Sequence, residues 1–356
     1  MAIKIGIFDH ISRPQGVPLG KLYEDRIRLL KKADCAGFYC YHLAEHHGHN
    51  LATAPSQPVF LAALARETET LRVGTLVSCL PLHHPLRLVE EICMVDQLSG
   101  GRLELGVGRG VSPFEHSFFG HDPAEAKARF EETLDMVLQG LTSGRIDCEG
   151  RSFYSFPEAE VSLEPFQKPY PALWYPGNLD FAARHGFNFL SGKVTKRVRD
   201  RYDELWEEGR GDPFRVNPHV TEPLVGSAQF LCIAETEAEA ERITDRAQGA
   251  MGGMVRKSDG VLPPHLQGVS GPAPYAPSGN LDLASAEAEM FVHGTPESVR
   301  DYYVEYASEG NTNYIVIKVP WGDMTIEEGE RTLDLFIDEV LPAVRAATEP
   351  AAVPAA

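Results

Sequence analysis

The chain has no C-x-x-C pair, no long apolar run and too few basic residues to balance its acids. Its six cysteines, Cys35, Cys40, Cys79, Cys93, Cys148 and Cys232, are scattered among apolar neighbours. That pattern suits neither a disulfide framework nor a zinc knuckle, and the thiols read as buried small hydrophobes. No stretch approaches the roughly 18 continuous apolar residues of a membrane span, and residues 1–10 form a short strand-like run without a signal-peptide core. The expectation is a soluble, cytoplasmic protein with no membrane partner. Lys and Arg number 33 against 51 Asp and Glu, a net charge of −18. Such a field repels phosphate backbones, so no nucleic-acid partner is expected.

With 356 residues, 43% of them hydrophobic and 24% charged, the composition is that of a globular chain. At this length one α/β barrel suffices as a single domain. Two periodicities alternate along it. Ile3, Ile5 and Ile7 repeat every second residue, then Leu19, Tyr23, Ile27, Leu30 and Ala33 recur at helical spacing. A second strand over 38–43 precedes a helix over 56–69, with Ser56 as its cap. A third over 72–77 precedes a helix striped by Leu86, Val89 and Cys93 and by Leu88, Ile92 and Val95, with Pro85 in its first turn. A fourth over 103–107 precedes a helix striped by Phe130, Leu134, Val137 and Leu141.

After an irregular stretch over 144–171, the alternation resumes. Strands are expected over 172–175, 187–190, 225–233 and 314–319, and helices over 179–185 and 195–208, from 235 onward, and along Leu333, Phe336, Val340 and Val344. Eight β–α units predict a parallel sheet covered by helices and favour a (β/α)8 TIM barrel over an open sheet. The domain is expected to span 1–348, with a Gly/Pro-rich lid-like insertion over 249–294 and a disordered tail over 349–356.

Histidines cluster at the end of the second strand, at His42, His46, His47 and His49. His42-x-x-Glu45-His46 formally matches an inverted zinc-protease signature, which needs both histidines on one helix face. On a strand they stand about 13 Å apart, too far to share a zinc. No metal is expected, and an imidazole in a barrel mouth is instead a proton donor or acceptor. Gly106-Val107-Gly108-Arg109-Gly110 follows the fourth strand. It is not a dinucleotide fingerprint, because Pro113 and Phe114 follow and no acid ends the next strand. Arg109 suits a phosphate contact, or pairing with one of the many acids. Gly177 and Asn178 open a helix and suit an anion contact or an ordinary cap.

In order and spacing, Ala44-Glu45-His46-His47, Val73-Gly74-Thr75, Leu80-Pro81, His84-Pro85, the run from Asp96 to Arg102 and Gly106 to Gly110 resemble the bacterial luciferase-like flavin monooxygenases, over roughly residues 1–190 and 290–345. The resemblance implies a (β/α)8 barrel, often dimeric, binding reduced flavin at the carboxyl ends of its strands. It implies that His46 is the active-site acid or base, that Arg109 meets the flavin phosphate with Gly177 and Asn178 nearby, and that Leu76–Val77 is a non-prolyl cis peptide beneath the flavin ring. Tyr175 and Pro176 replace more polar residues of luciferase. Gly108 replaces its reactive cysteine, so light emission is not implied.

The expected activity is insertion of one oxygen atom of dioxygen into a small apolar substrate, using FMNH2 supplied by a separate flavin reductase, with Phe8, Phe114 and Trp321 at the pocket. The alternatives are a deazaflavin-dependent hydride transferase on the same fold and a non-catalytic flavin-binding protein.

Overall fold

The computed structural model describes residues 3–48, 50–256 and 290–348. His49, the expected tail and the greater part of the expected lid lie outside the described residues. Of the residues expected in that insertion, 249–256 belong to a helix and Phe291–Gly294 is a strand.

Strands β1 (Lys4–Asp9), β2 (Cys40–Leu43), β3 (Arg72–Cys79) and β4 (Leu103–Gly108) pair in parallel in chain order. Helices α1 (Leu19–Cys35), α2 (Gln57–Glu67) and α3 (Pro85–Ser99) lie between them. After β4 come a short helix, α4 (Pro113–Phe118), and α5 (Ala126–Ser143). The stretch expected to be irregular holds an antiparallel pair, β5 (Arg145–Ile146) with β6 (Ala159–Glu160). Then follow β7 (Leu173–Trp174), α6 (Leu179–His185), β8 (Phe189–Ser191), α7 (Lys196–Glu208), β9 (Val225–Ile233) and α8 (Glu237–Arg256). The described residues end on β10 (Phe291–Gly294), α9 (Pro296–Ser308), β11 (Tyr314–Lys318), α10 (Ile326–Leu335) and α11 (Leu341–Thr348).

β4 pairs with β7, a parallel bridge joins Trp174 to Asn188 just before β8, β8 pairs with β9, β9 with β11, and β11 with β1. Followed in that order the pairings lead back to β1, the connectivity of a parallel (β/α)8 barrel. β10 pairs with the last four residues of β9, beyond the stretch held by β8.

Alternation along the strands separates two cores. Ile5, Ile7, Tyr41, Leu43, Val73, Leu103, Leu105, Ile315 and Ile317 face outward into the core shared with the helices. On α5, Phe130, Leu134, Val137 and Leu141 are buried against it, each contributing about 1.5–3 kcal/mol. Leu76, Trp174, Leu190, Ala228, Tyr314 and Val316 face inward, with Phe8, Tyr39 and Val77 packed on them. Glycine makes room for the Tyr314 ring: a Cβ on Gly6 would lie 2.0 Å from its hydroxyl.

Two local readings need correction. Ser56 occupies the cap position of α2, yet its side chain makes no capping bond; Pro58 already removes one of the amides that a cap would serve. Cys40, Cys79, Cys93 and Cys232 are buried, but Cys35, the last residue of α1, is exposed and Cys148, in the connection after β5, is half-buried.

The barrel interior carries polar groups that satisfy one another. Glu104 accepts from Tyr39 Oη and Trp174 Nε1, both at 2.6 Å, and from Arg72 Nε. His42 Nε2 lies 2.9 Å from Tyr314 Oη, and burial pushes the His42 pKa down to about 4. At the end of β1, Asp9 accepts from Arg26 Nε at 2.8 Å and from the Ile11 amide at 2.7 Å. Ile11 has φ 49°, a conformation rare for a β-branched residue and held here by that carboxylate.

Asp9→Ala leaves the buried Arg26 guanidinium without its counter-charge; the expected loss, read by denaturant unfolding, is about 3–5 kcal/mol. For His42 the native pKa is below the unfolded one, so the unfolded chain binds more protons between about pH 6.5 and 4 and stability falls on acidification. The expected contribution is up to about 1.4 kcal/mol per pH unit, a slope that His42→Gln removes in unfolding measured across that range.

Candidate functional site

β2 stops at Leu43, so the two histidines expected on one strand face part company. His42 stays inside the barrel, while His46 reaches its mouth. Among the described residues no group of three His, Cys, Asp or Glu side chains could hold a metal.

His46 is fixed by a residue that the sequence reading missed. Its Nδ1 lies 3.0 Å from Glu115 Oε1, and the same oxygen accepts the His47 amide at 3.1 Å. A carboxylate can only accept, so Nδ1 carries the proton and the basic lone pair falls on Nε2, a tautomer inferred from this bond. The His10 ring stacks on His46 at 5.7 Å. Glu115 sits on α4, whose start Ser112 caps by accepting the Glu115 amide. A helix therefore does follow Pro113, contrary to one ground used against a dinucleotide fingerprint. It lasts only six residues, and Gly106 and Gly108 lie inside β4 rather than in a phosphate loop.

Glu45 secures the same loop from below. It accepts from His47 Nε2 at 2.9 Å, His83 Nε2 at 3.0 Å and the Cys79 amide at 2.8 Å. Burial opposes its ionisation, but the charge on His83 and these bonds hold its pKa below the usual carboxylate range. Burial likewise works against the His83 cation, and the Glu45 carboxylate outweighs it and raises the His83 pKa.

The Leu76–Val77 peptide is cis, and the pairing of β3 with β4 shifts register between Thr75 and Ser78. Gln57, the first residue of α2, spans this point: its amide nitrogen donates to Leu43 O and Val77 O, and its oxygen accepts from Ser78 Oγ at 3.2 Å. Gly108 is required here, because a Cβ on it would lie 2.5 Å from Val77 Cγ2.

Arg109 follows β4 directly and is exposed. It makes no ion pair among the described residues, although the chain is rich in acids. Its charge is felt at Tyr175, just beyond β7, where burial raises the phenol pKa and Arg109 lowers it. Gly177 has φ 104° and, like Asn178, is exposed; Asn178 Oδ1 accepts the Phe181 amide at 2.8 Å, the ordinary cap of a seven-residue helix. The backbone at 177–178 and the Asn178 side-chain NH2 group are left for a ligand.

Of the pocket candidates, Phe8 lies inside the barrel with its ring edge-on to His10 at 4.8 Å. Phe114 is half-buried on α4. Trp321 is 3% exposed in a cluster with Phe230 and Met324, and its indole donates to Leu231 O at 3.0 Å. A cavity of about 1200 Å³ opens beside the mouth, lined by Arg13, Lys21, Asp25, Arg246, Asp323 and Glu327 among others; none of the sequence-derived candidates lines it. Besides Glu115, the reading missed Gln57, His10 and Lys318. Lys318 had a detectable signal, a charge at an inward position of an otherwise apolar alternating strand. The others sit in loops or at a helix start and carry none.

No helix of the described residues is long and apolar enough to cross a membrane. A family profile described as luciferase-like monooxygenase matches residues 3–313. The uncharacterised protein y4wF of Sinorhizobium fredii is 32% identical over 96% of this chain and 97% of its own length. The oxygenase component of a flavin-dependent trigonelline monooxygenase from Acinetobacter baylyi is 26% identical over 96% and 95%. Among solved structures, the monooxygenase RslO1 of Streptomyces bottropensis superposes with a TM-score of 0.77 at 24% identity, over 96% of this chain and 99% of that one. The oxygenating constituent of 3,6-diketocamphane monooxygenase from Pseudomonas putida, solved with FMN, gives 0.69 at 20% identity over 96% and 98%.

Glu115→Ala removes the acceptor of His46 Nδ1 and of the His47 amide. The expected result is a stability loss of about 1–3 kcal/mol and a loss of the single Nδ1-protonated tautomer, read from the nitrogen-15 shifts of the His46 ring at neutral pH.

Proposed function

Because this chain belongs to the luciferase-like monooxygenase family, we propose that it inserts one oxygen atom of dioxygen into a small, largely apolar organic molecule, with reduced FMN as its flavin. One observation carries this reading. The loop that leaves β4 supplies both the unpaired guanidinium of Arg109 and, six residues on, the carboxylate that holds His46. Phosphate grip and proton relay are thus built from one segment.

The residues present suit FMN. Leu76 and Val77 offer an apolar floor inside the mouth, and the guanidinium, with no acid of its own, is matched to a phosphate by its planar fork. When bound, reduced FMN supplies two electrons and two protons, so that one oxygen atom enters the substrate and the other leaves as water. Arg109 anchors the phosphate, and the backbone at Gly177 and Asn178 adds to that hold. Leu76, Val77 and Phe8 exclude water. His46 moves the proton at Nε2, with Glu115 keeping the opposite nitrogen protonated throughout. The supply of reduced flavin falls to a separate reductase, a reading supported by the name of the trigonelline relative, an oxygenase component. The name of that full-length relative, a flavin-dependent monooxygenase, favours FMN over a deazaflavin, because a deazaflavin passes hydride and does not activate oxygen.

Arg109→Ala is expected to weaken FMN binding by about 2–4 kcal/mol, measured by flavin fluorescence titration. His46→Ala leaves that affinity unchanged and lowers oxygenated product by roughly 10²–10⁴-fold in assays fed with chemically reduced FMN. The opposite pattern, or hydride transfer from a deazaflavin with no oxygen uptake, overturns the reading.

A further inference from the structure

At the end of β11 the strand alternation turns a charge inward. Tyr314 and Val316 belong to the barrel interior and Ile315 and Ile317 to the outer core, so Lys318 points into the barrel at the level of its mouth. It pairs in register with Phe230 of β9, and on the other side Ile317 pairs with Ile7, which sets Lys318 beside Phe8 of β1. The ammonium lies 4.2 Å from the centre of the Phe230 ring and 5.1 Å from that of Phe8. Phe8 meets His10 at 4.8 Å and His10 stacks on His46 at 5.7 Å, so a continuous row of rings runs from this ammonium to the candidate acid–base histidine.

Lys318 is only 9% exposed, yet it takes part in no ion pair among the described residues. Two aromatic faces compensate only part of the cost of burying an ammonium. A chain with 51 acids could have supplied a carboxylate, and packing alone would be served as well by methionine. Burial lowers the lysine pKa to about 8, which leaves the group mostly protonated at neutral pH. An ammonium kept charged, largely buried and without an ion pair among the described residues, beside apolar rings, is a site that awaits an anion.

We infer that Lys318 sets substrate specificity: the molecule oxidised here carries an anionic oxygen, such as a carboxylate, on an apolar ring or chain, and this group pairs with the ammonium while the apolar part lies along Phe8 and Phe230 toward His46. The inference deepens the monooxygenase reading and rests on it for the word substrate, but the anion site itself can be tested without turnover.

The test is calorimetric titration of the full chain, apo and FMN-loaded, with benzoate, cyclohexanecarboxylate and octanoate, each against its neutral amide. At least one acid is expected to bind ten-fold or more tightly than its amide. Lys318→Met should bring that acid down to its amide's level and leave the amide unchanged, whereas Lys318→Arg should keep the preference. FMN affinity, read separately by flavin fluorescence, should stay within two-fold in both variants. No acid preferred over its amide overturns the inference, as does a preference that survives Lys318→Met. A ten-fold loss of FMN affinity in Lys318→Met overturns it as well, by assigning the ammonium to the cofactor. If FMN fails to bind the wild type while the acid preference holds, the flavin reading falls and the anion site stands.

Discussion

One carboxylate oxygen ties the mouth of this barrel together. Glu115 Oε1 receives both the His46 ring and the His47 amide, so the loop leaving β2 and the loop leaving β4 cannot move independently. Strands hold their own spacing through ladder hydrogen bonds, whereas loops at the rim have no such ladder and depend on side chains for position. Glu45 repeats the device one layer lower, joining the β2 loop to the end of β3 through the Cys79 amide and to His83. Gln57 does so again at Val77. Three neutral or acidic side chains, all buried, convert flexible rim segments into a fixed surface on which an imidazole and a guanidinium can be placed.

The repeating unit was open to reading from sequence because helix and strand periodicities differ and the strands are rich in Ile, Val and Leu. Residues 225–233 match β9 in full, and β11 differs from its expected span only at residue 319. The failures have physical causes. β5 and β6 have two residues each, too few for an alternation to register, and β10 lay inside a stretch judged by its glycine and proline content. The cap expected at Ser56 fails because Pro58 lacks one of the amides it would serve and the Val59 amide donates to the Ser56 carbonyl instead. Among the candidate site residues, His46 and Arg109 were visible because motifs carry them. Glu115 was one acid among 51, and only the fold brings it, 69 positions along the chain, to the histidine it orients.

Electrostatics in the two halves of the barrel differ in kind. Toward the amino ends of the strands, Glu104, Arg72, Tyr39 and Trp174 form a closed set in which each polar group has a partner. Toward the carboxyl ends, Lys318 and Arg109 take part in no ion pair among the described residues, and Lys318 faces the apolar rings of Phe8 and Phe230. A satisfied interior contributes rigidity, since no member can leave without stranding another. An unsatisfied rim contributes affinity for whatever anion completes it.

The fit of Tyr314 against Gly6 bears on how this scaffold can diverge. With the hydroxyl 2.0 Å from where a methyl group would stand, the lumen is solid at mid-height, and no enlargement of a guest molecule can be accommodated downward. New chemistries on this frame must be written sideways and upward, in the connecting segments at the rim, while the staves of the cylinder stay as they are.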